Sequence, residues 1–353
     1  MEIKKLKKFY KNRKVFITGH TGFKGIWLYL ILKFLGANVL GYSLPLKKND
    51  NYIFYKNIKN KINSRFGNIL NFNYLKKSIN SFSPEIVFHF AAQSLVIESQ
   101  KNPKKTLETN IIGTNNVIKI CQTQNKIKSL VIATSDKCYT NNNKIKSFSE
   151  TSKLGGEEPY SFSKAICENL IHLYLNNYRS DIKFGLSSVR AGNVIGGGDF
   201  SNYRIIPDII KNYKKKKIRL RNPNHVRPWQ DIMDVCYAYL LIPVFHNKNK
   251  MKYSGSYNVG PLRKKSINVY NLTKKLIKEF KIDYKIHIKK ENYIESKYLF
   301  LNSKKIKNKL KWKPSINISK SIKNIAIWYN DYFKKKNLLK ISNIQIKNYF
   351  YYQ

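Results

Sequence analysis

Two short runs carry residue types that can move a proton and a hydride at one carbon: Tyr160-Ser161-Phe162-Ser163-Lys164 and Ser135-Asp136-Lys137. A Tyr-x-x-x-Lys at the start of a helix puts both side chains on one face, because residues i and i+4 are neighbours there. An ammonium beside a phenol favours the phenolate and lowers its pKa. Tyr160 is therefore expected to take a hydroxyl proton while hydride leaves the same carbon. Ser135 can hydrogen-bond that hydroxyl. Asp136 adds an acid that simple hydride transfer does not need. Taken alone, Tyr-x-x-x-Lys describes two solvated surface residues equally well. Its position after a strand that ends in Ser135 gives it weight, since sites in open α/β sheets lie at strand carboxyl ends.

A third run offers a seat for a dinucleotide. Gly19-His20-Thr21-Gly22-Phe23-Lys24-Gly25 has GxxGxxG spacing between a first strand and a first helix. Glycine there permits a tight turn and close approach of backbone to a pyrophosphate, and the helix N-terminus adds free N–H groups and a positive dipole. The second strand ends in Gly41-Tyr42-Ser43-Leu44, without the acid that usually meets the ribose hydroxyls. The first acid downstream is Asp50, and Lys47 and Lys48 suit a 2′-phosphate. The loop alone does not choose between NAD and NADP.

Short β-rich apolar runs recur at residues 14–18, 38–42, 85–90, 129–134 and 184–189. Helical stretches at 27–35, 103–121 and 161–178 alternate with them, with Gly36 as a stop. That alternation predicts an α/β fold, a Rossmann-type doubly wound parallel sheet with helices on both faces. After about residue 190 the pattern changes to a Gly196-Gly197-Gly198 loop, scattered prolines, an apolar helix at 235–245 and Lys-rich segments. Residues 1–190 are expected to form the dinucleotide-binding domain. Residues 191–353 are expected to form mainly a smaller, mixed substrate-binding domain, with segments of about 230–262 returning to the sheet. The aromatic tail IKNYFYYQ is expected to pack.

Of 353 residues, 42% are hydrophobic, enough for a well-buried core. No apolar run approaches the ~20 residues that cross a bilayer. The four cysteines are scattered with no CxxC pair, which argues against a zinc site or disulfide framework and suits the cytoplasm. The net charge of +47 invites a nucleic-acid reading. Only nine of the 67 basic residues are arginine, however, and Lys, Asn and Ile are enriched everywhere, as a codon bias would produce. No nucleic acid, membrane or metal partner is expected.

The stretches ITGHTGFKG, IVFHFAAQSLV, TSDKCY, PYSFSK, VRAGNVIGGGDF, RIIPDI and RNPNHVRPWQ occur in this order over residues 14–235. Together they resemble the extended short-chain dehydrogenase/reductase superfamily and, within it, the CDP-glucose 4,6-dehydratases. The C-terminal third matches only loosely. The resemblance implies a cytoplasmic, homodimeric hydro-lyase of deoxysugar and O-antigen biosynthesis that holds NAD. It would convert CDP-glucose to CDP-4-keto-6-deoxyglucose and water by transient C4 oxidation, C5/C6 elimination and hydride return from bound NADH.

It further implies catalytic roles for Ser135, Asp136, Lys137, Tyr160 and Lys164. Asp136 is the acid at C6, and Lys137 a candidate C5 base or positioning residue, where the dTDP-glucose enzymes have Glu. Gly19, Thr21, Gly22, Phe23, Lys24, Gly25, Ser43, Asn68, Ile69, Ala91, Ala92, Gln93, Tyr160 and Lys164 would contact the dinucleotide. Asn68 stands where Asp is usual. Asn193, Arg204, Arg221 and Arg227 would bind the substrate, with Arg227 favoured for the diphosphate because a guanidinium fork suits it. His89 and Cys138 are expected to pack. Two other readings share these motifs. A 4-epimerase would use Ser135, Tyr160 and Lys164 without Asp136, and a non-catalytic NAD(P)-binding protein would turn over nothing.

Overall fold

The computed structural model describes residues 2–46, 52–212, 217–261, 265–281, 285–288 and 296–351. Lys47, Lys48 and Asp50 lie outside the described residues. In chain order the strands are β1 (Lys14–Thr18), β2 (Asn38–Ser43), β3 (Ser64–Phe66), β4 (Ile86–His89), β5 (Ser129–Ala133), β6 (Ser147–Phe148) and β7 (Gly185–Ala191). Then come β8 (Val194–Ile195), β9 (Lys217–Leu220), β10 (Val226–Arg227), β11 (Gln230–Asp231) and β12 (Gly255–Val259). Seven of them form one parallel sheet in the order β12-β7-β5-β4-β1-β2-β3. The order turns back between β1 and β4, which is the switch point where such sheets open a crevice.

Successive strand residues point to opposite faces, and the sheet has a separate apolar core on each. Val15 and Ile17 of β1, and Ile86 and Phe88 of β4, join one core with the helices Phe23–Phe34 and Ile232–Lys248. Phe16 and Val87, one residue out of phase, join the other with Leu75, Val117 and Ile171 from the helices Phe72–Phe82, Gly113–Gln122 and Pro159–Asn176. The doubly wound sheet predicted from the alternation is therefore the fold. Ile206, Leu272, Trp328 and Ile346, from residues 191–353, belong to the same core as Val15. The tail packs as the Leu338–Tyr351 helix, with Phe350 stacked on Phe34.

Three elements differ from expectation. An N-terminal helix, Ile3–Tyr10, buries Leu6 and Tyr10 four residues apart. β3 is a three-residue edge strand with no apolar run to announce it. The long helix expected over 103–121 is α-helical at Pro103–Leu107 and Gly113–Gln122, but Glu108–Ile112 between them forms a π-helical turn. Its Asn110 is buried; the side chain accepts from Gln93 N (2.8 Å) and donates to Gln93 O (3.0 Å) and Ser163 Oγ (2.8 Å). A π-turn places one extra residue in the helix, and such turns often sit at functional sites.

Candidate active site

Ser135 leaves the carboxyl end of β5 and caps the single turn Asp136–Cys138, accepting from Lys137 N (3.2 Å) and donating to Asp136 Oδ1 (3.0 Å). Asn193 Nδ2 donates to Asp136 Oδ2 (3.4 Å) from the loop after β7, with a left-handed backbone (φ +50°). Between them, Gly192 leaves room for the carboxylate: a Cβ there would stand 1.7 Å from Asp136 Oδ2. Asp136 is 3% exposed. Burial raises its pKa against the opposing pull of Lys137, Ser135, Arg227 and Lys24. A carboxyl held up in this way is suited to giving a proton.

Tyr160 and Lys164 lie on the first turns of the Pro159–Asn176 helix. Glu158 caps it, accepting from Tyr160 N and Ser161 N (2.8 Å each) and from the hydroxyls of Ser99 and Ser161. The expected lowering of the Tyr160 pKa is not found. Burial pushes the phenol up to about 12, opposed by the nearby Ser135 hydroxyl and Arg204 and reinforced by Asp136 and Glu158. Lys164 donates to Ala133 O (3.1 Å), and burial lowers its pKa. Desolvation outweighs the charge effect that spacing alone suggested.

The glycine turn sits at the switch point. Gly19 has φ +74°, and a Cβ on it would lie 2.5 Å from Ala91 N, so the turn and the loop after β4 form one close cradle. Gly22 caps the Phe23–Phe34 helix with no side-chain partner and no acid in its first turn. That cradle fits a pyrophosphate. Thr21 N donates to Ser43 Oγ (3.4 Å), and His20 bridges Ser43 (2.9 Å) and Ser64 (2.8 Å) while burial lowers its pKa to about 4. Tyr42 donates to Asn68 O (3.1 Å), and Ile69 is buried. Ala92 and Gln93 follow Ala91; Gln93 spends its amide on Leu95 and Thr106. His89 bridges Thr18 and Thr114, and Cys138 is buried in an apolar cluster.

A cavity of about 280 Å³ opens above these groups. Ser135, Asp136, Lys137, Tyr160, Asn193, Arg204, Arg221 and Arg227 line it, so the structure brings every catalytic and substrate candidate except Lys164 to one space; Lys164 lies behind Tyr160, held on Ala133 O. Lys24, expected at the dinucleotide, lines it too; burial and Arg204 lower its pKa to about 8. The arginines differ in how they are held. Arg204 pairs with Asp199 (3.5 Å) and Arg221 with Asp208 (3.9 Å). Arg227 is buried, donating to the carbonyls of Val226, Ser296 and Lys297 and contacting His225. Sequence reasoning missed Asp199, Arg219 and Trp229, which also line the cavity, and Asn110. Asp199 ends the GGGD run, a signal that was there to read; nothing in sequence marked Arg219. Among the described residues no group of His, Cys, Asp and Glu side chains is placed to hold a metal, and no helix is long and apolar enough to cross a membrane.

Known proteins resemble this chain in sequence and in fold. The CDP-glucose 4,6-dehydratase of Salmonella typhimurium is 34% identical over 97% of this chain and 98% of its own length. The dTDP-D-glucose 4,6-dehydratase of Dictyostelium discoideum is 29% identical over 90% of this chain and 82% of its own. Among solved structures, an epimerase of Methanothermobacter thermautotrophicus superposes with a TM-score of 0.81 at 19% identity, over 96% of this chain and 97% of that one. The NAD complex of Bacillus anthracis dTDP-glucose 4,6-dehydratase gives 0.75 at 21%, over 93% and 99%. The family model for GDP-mannose 4,6 dehydratase matches residues 16–325, and with a 34% identical relative spanning nearly the whole chain, the protein belongs to that dehydratase family of the extended short-chain dehydrogenase/reductases.

Proposed function

We propose that this chain dehydrates CDP-glucose to CDP-4-keto-6-deoxyglucose with NAD held throughout. The observation that carries the reading is Asp136, a buried carboxyl with a raised pKa beside Ser135 and lining the same cavity as Tyr160. Dehydration needs that acid, whereas a 4-epimerase does not. The similarity to the Salmonella enzyme supports CDP-glucose as substrate.

The cradle of Gly19, Thr21, Gly22, Phe23 and Gly25, with Ser43, Asn68, Ile69, Ala91, Ala92, Gln93, Tyr160 and Lys164, would hold the dinucleotide. When bound, its nicotinamide would supply a hydride acceptor for C4 and, once reduced, a hydride donor for C6. Tyr160 Oη would take the C4 hydroxyl proton as its phenolate, a form that the positive charge of an oxidised nicotinamide would favour against the burial that raises its pKa, and Ser135 orients that hydroxyl. Oxidation at C4 turns the C5 hydrogen into an α-proton; we assign its removal to the neutral amine form of Lys137, which gives the proton back to C5 when C6 is reduced. Asp136 gives its proton to the C6 hydroxyl, which leaves as water. Arg204, Arg219, Arg221 and Lys24 outnumber the acids around the cavity and favour a diphosphate, with Asn193 and Arg227 as further substrate contacts.

We also propose a cytoplasmic homodimer. Phe162 and Leu173 on the Tyr160 helix and Ile112 beside it are 47%, 44% and 50% exposed, an apolar face suited to a second copy. Light scattering tests that assembly. The activity is tested with CDP-, dTDP-, UDP- and GDP-glucose and product mass. Loss of one water from the CDP sugar is expected; a C4 epimer of unchanged mass would overturn the reading.

A further inference from the structure

Glu168 lies on the same helix face as Tyr160 and Lys164, one turn further on, and is wholly buried. Its Oε2 accepts from Arg190 Nη2 (2.7 Å), Ser188 Oγ (2.8 Å) and Ser256 Oγ (2.7 Å), and its Oε1 from Thr134. Those donors stand on β7, β12 and the end of β5. Thr134 directly precedes Ser135. Arg190 in turn donates to Tyr139 OH (2.7 Å) and Glu150 O (3.0 Å), and its guanidinium lies 5.0 Å from the Tyr139 ring. Tyr139 directly follows the Asp136–Cys138 turn, and Arg190 is two residues before Gly192. One ion pair therefore touches the flank of every segment that carries a reacting group.

A buried ion pair is a poor source of stability, because desolvation offsets much of the attraction and apolar replacements are often as stable. Its geometry is a good source of orientation. We propose that Glu168 is a positioning residue: through its pair with Arg190 it fixes the Tyr160–Lys164 face of the helix against the Ser135–Asp136 turn. The proposal rests on the dehydratase reading for its kinetic consequences.

The charge of the pair matters as well as its shape. Burial lowers the Lys164 pKa, and Glu168, with Cys167 and Cys138, opposes that fall. Other groups facing Lys164 are Lys24 and His89, both held toward their neutral forms mainly by burial. Burial alone would raise the Glu168 pKa, but Arg190 and the hydroxyls of Thr134 and Ser256 overrule it, so the carboxylate stays charged. Without that charge, Lys164 loses support for its ammonium and releases its proton at lower pH.

The test compares Glu168→Gln, Glu168→Asp and the apolar pair Glu168→Met with Arg190→Leu in the full chain. Each is followed by thermal melting, kcat and KM for CDP-glucose, the pH–rate profile, and the titration of Lys164 from the 13Cε signal that Lys164→Arg removes. In folded Glu168→Gln, kcat is expected to fall roughly tenfold to hundredfold, as small misplacements of reacting groups do. KM is expected to stay within about threefold, and the alkaline limb and the Lys164 titration to move to lower pH. Glu168→Asp keeps the charge, so its titration stays near the wild type while kcat falls. The apolar pair is expected to melt cooperatively and to lose kcat. Full kcat in any folded variant lacking the carboxylate overturns the proposal, as does a loss of activity that only follows the folded fraction. If the wild type turns over no nucleotide sugar, the dehydratase reading fails by itself. The Lys164 titration then decides, and an unmoved titration in Glu168→Gln overturns the positioning role.

Discussion

The cavity has a floor and a roof, and the two are built differently. The floor, Ser135–Asp136 with Tyr160 and Lys164, rests on the end of β5 and one capped helix, and its side chains are buried and fixed by neighbours on regular elements. The roof, the described residues within 193–230 with Ser296 and Lys297, is loops, strands of two to four residues and one short helix, and Arg204, Arg221 and Arg227 lean on acids or carbonyls brought in by tertiary contact. The floor is thus suited to setting rates, and the roof to setting affinity.

Substitutions can break that division. Tyr160→Phe should lower kcat by roughly 10²- to 10⁴-fold, the range for a lost general base, with melting unchanged. Activity near wild type would remove Tyr160 as the base. Asp136→Asn should lower overall turnover by about 10²-fold or more while the first oxidation survives, so stopped-flow absorbance should show reduced nicotinamide accumulating. The raised Asp136 pKa fixes the sign with pH: the acid form is lost as pH rises, so wild-type elimination should slow at high pH before oxidation does. Equal loss of both steps would contradict the assignment.

Gly192→Ala should cost about tenfold to hundredfold in kcat, because its Cβ would occupy the space of Asp136 Oδ2 and displace the carboxylate. Arg204→Lys tests the roof. It should raise KM about tenfold with kcat nearly unchanged, since a point charge replaces a fork. A kcat effect there as large as those on the floor would dissolve the distinction.

The smallest effect concerns how the roof is tied down. Asp231 of β11 caps the Ile232–Lys248 helix at Met233 N (2.9 Å) and accepts from Ser321 (2.6 Å), and burial raises its pKa from 3.8 to about 7. A folded pKa above the unfolded one gives stability that is full below pH 3.8 and lost as pH rises through about 7. Between pH 5 and 9 the wild-type Tm should fall a few degrees more than that of Asp231→Asn, a shift of roughly the size that about 1 kcal/mol produces.

The same contrast explains what the sequence disclosed. Strand and helix periods fix where Tyr160, Lys164, Ser135 and the Gly19 turn must sit, so floor and cradle were legible from spacing. The pKa of Tyr160 was not, because burial is set by residues far away in the chain. Arg219 carries no local signal of its place in the cavity. Asn110 hid inside what spacing read as one uninterrupted helix, and Glu168 and Arg190, 22 positions apart, meet only after the sheet forms.

The π-turn at Glu108–Ile112 has a consequence for how this protein tolerates changes in length. Substitutions elsewhere in that helix alter a contact; losing one residue from the turn removes the surplus that the wide turn takes up. A regular α-helix would then run from Pro103 to Gln122 with its two ends near their present settings, because a π-turn winds less per residue than an α-helix and absorbs the extra one locally. Val117 and Ile118 would keep their place against the sheet, while Asn110 would lose its grip on Gln93 and Ser163. A single-codon deletion there thus spares the core and loosens the loop after β4.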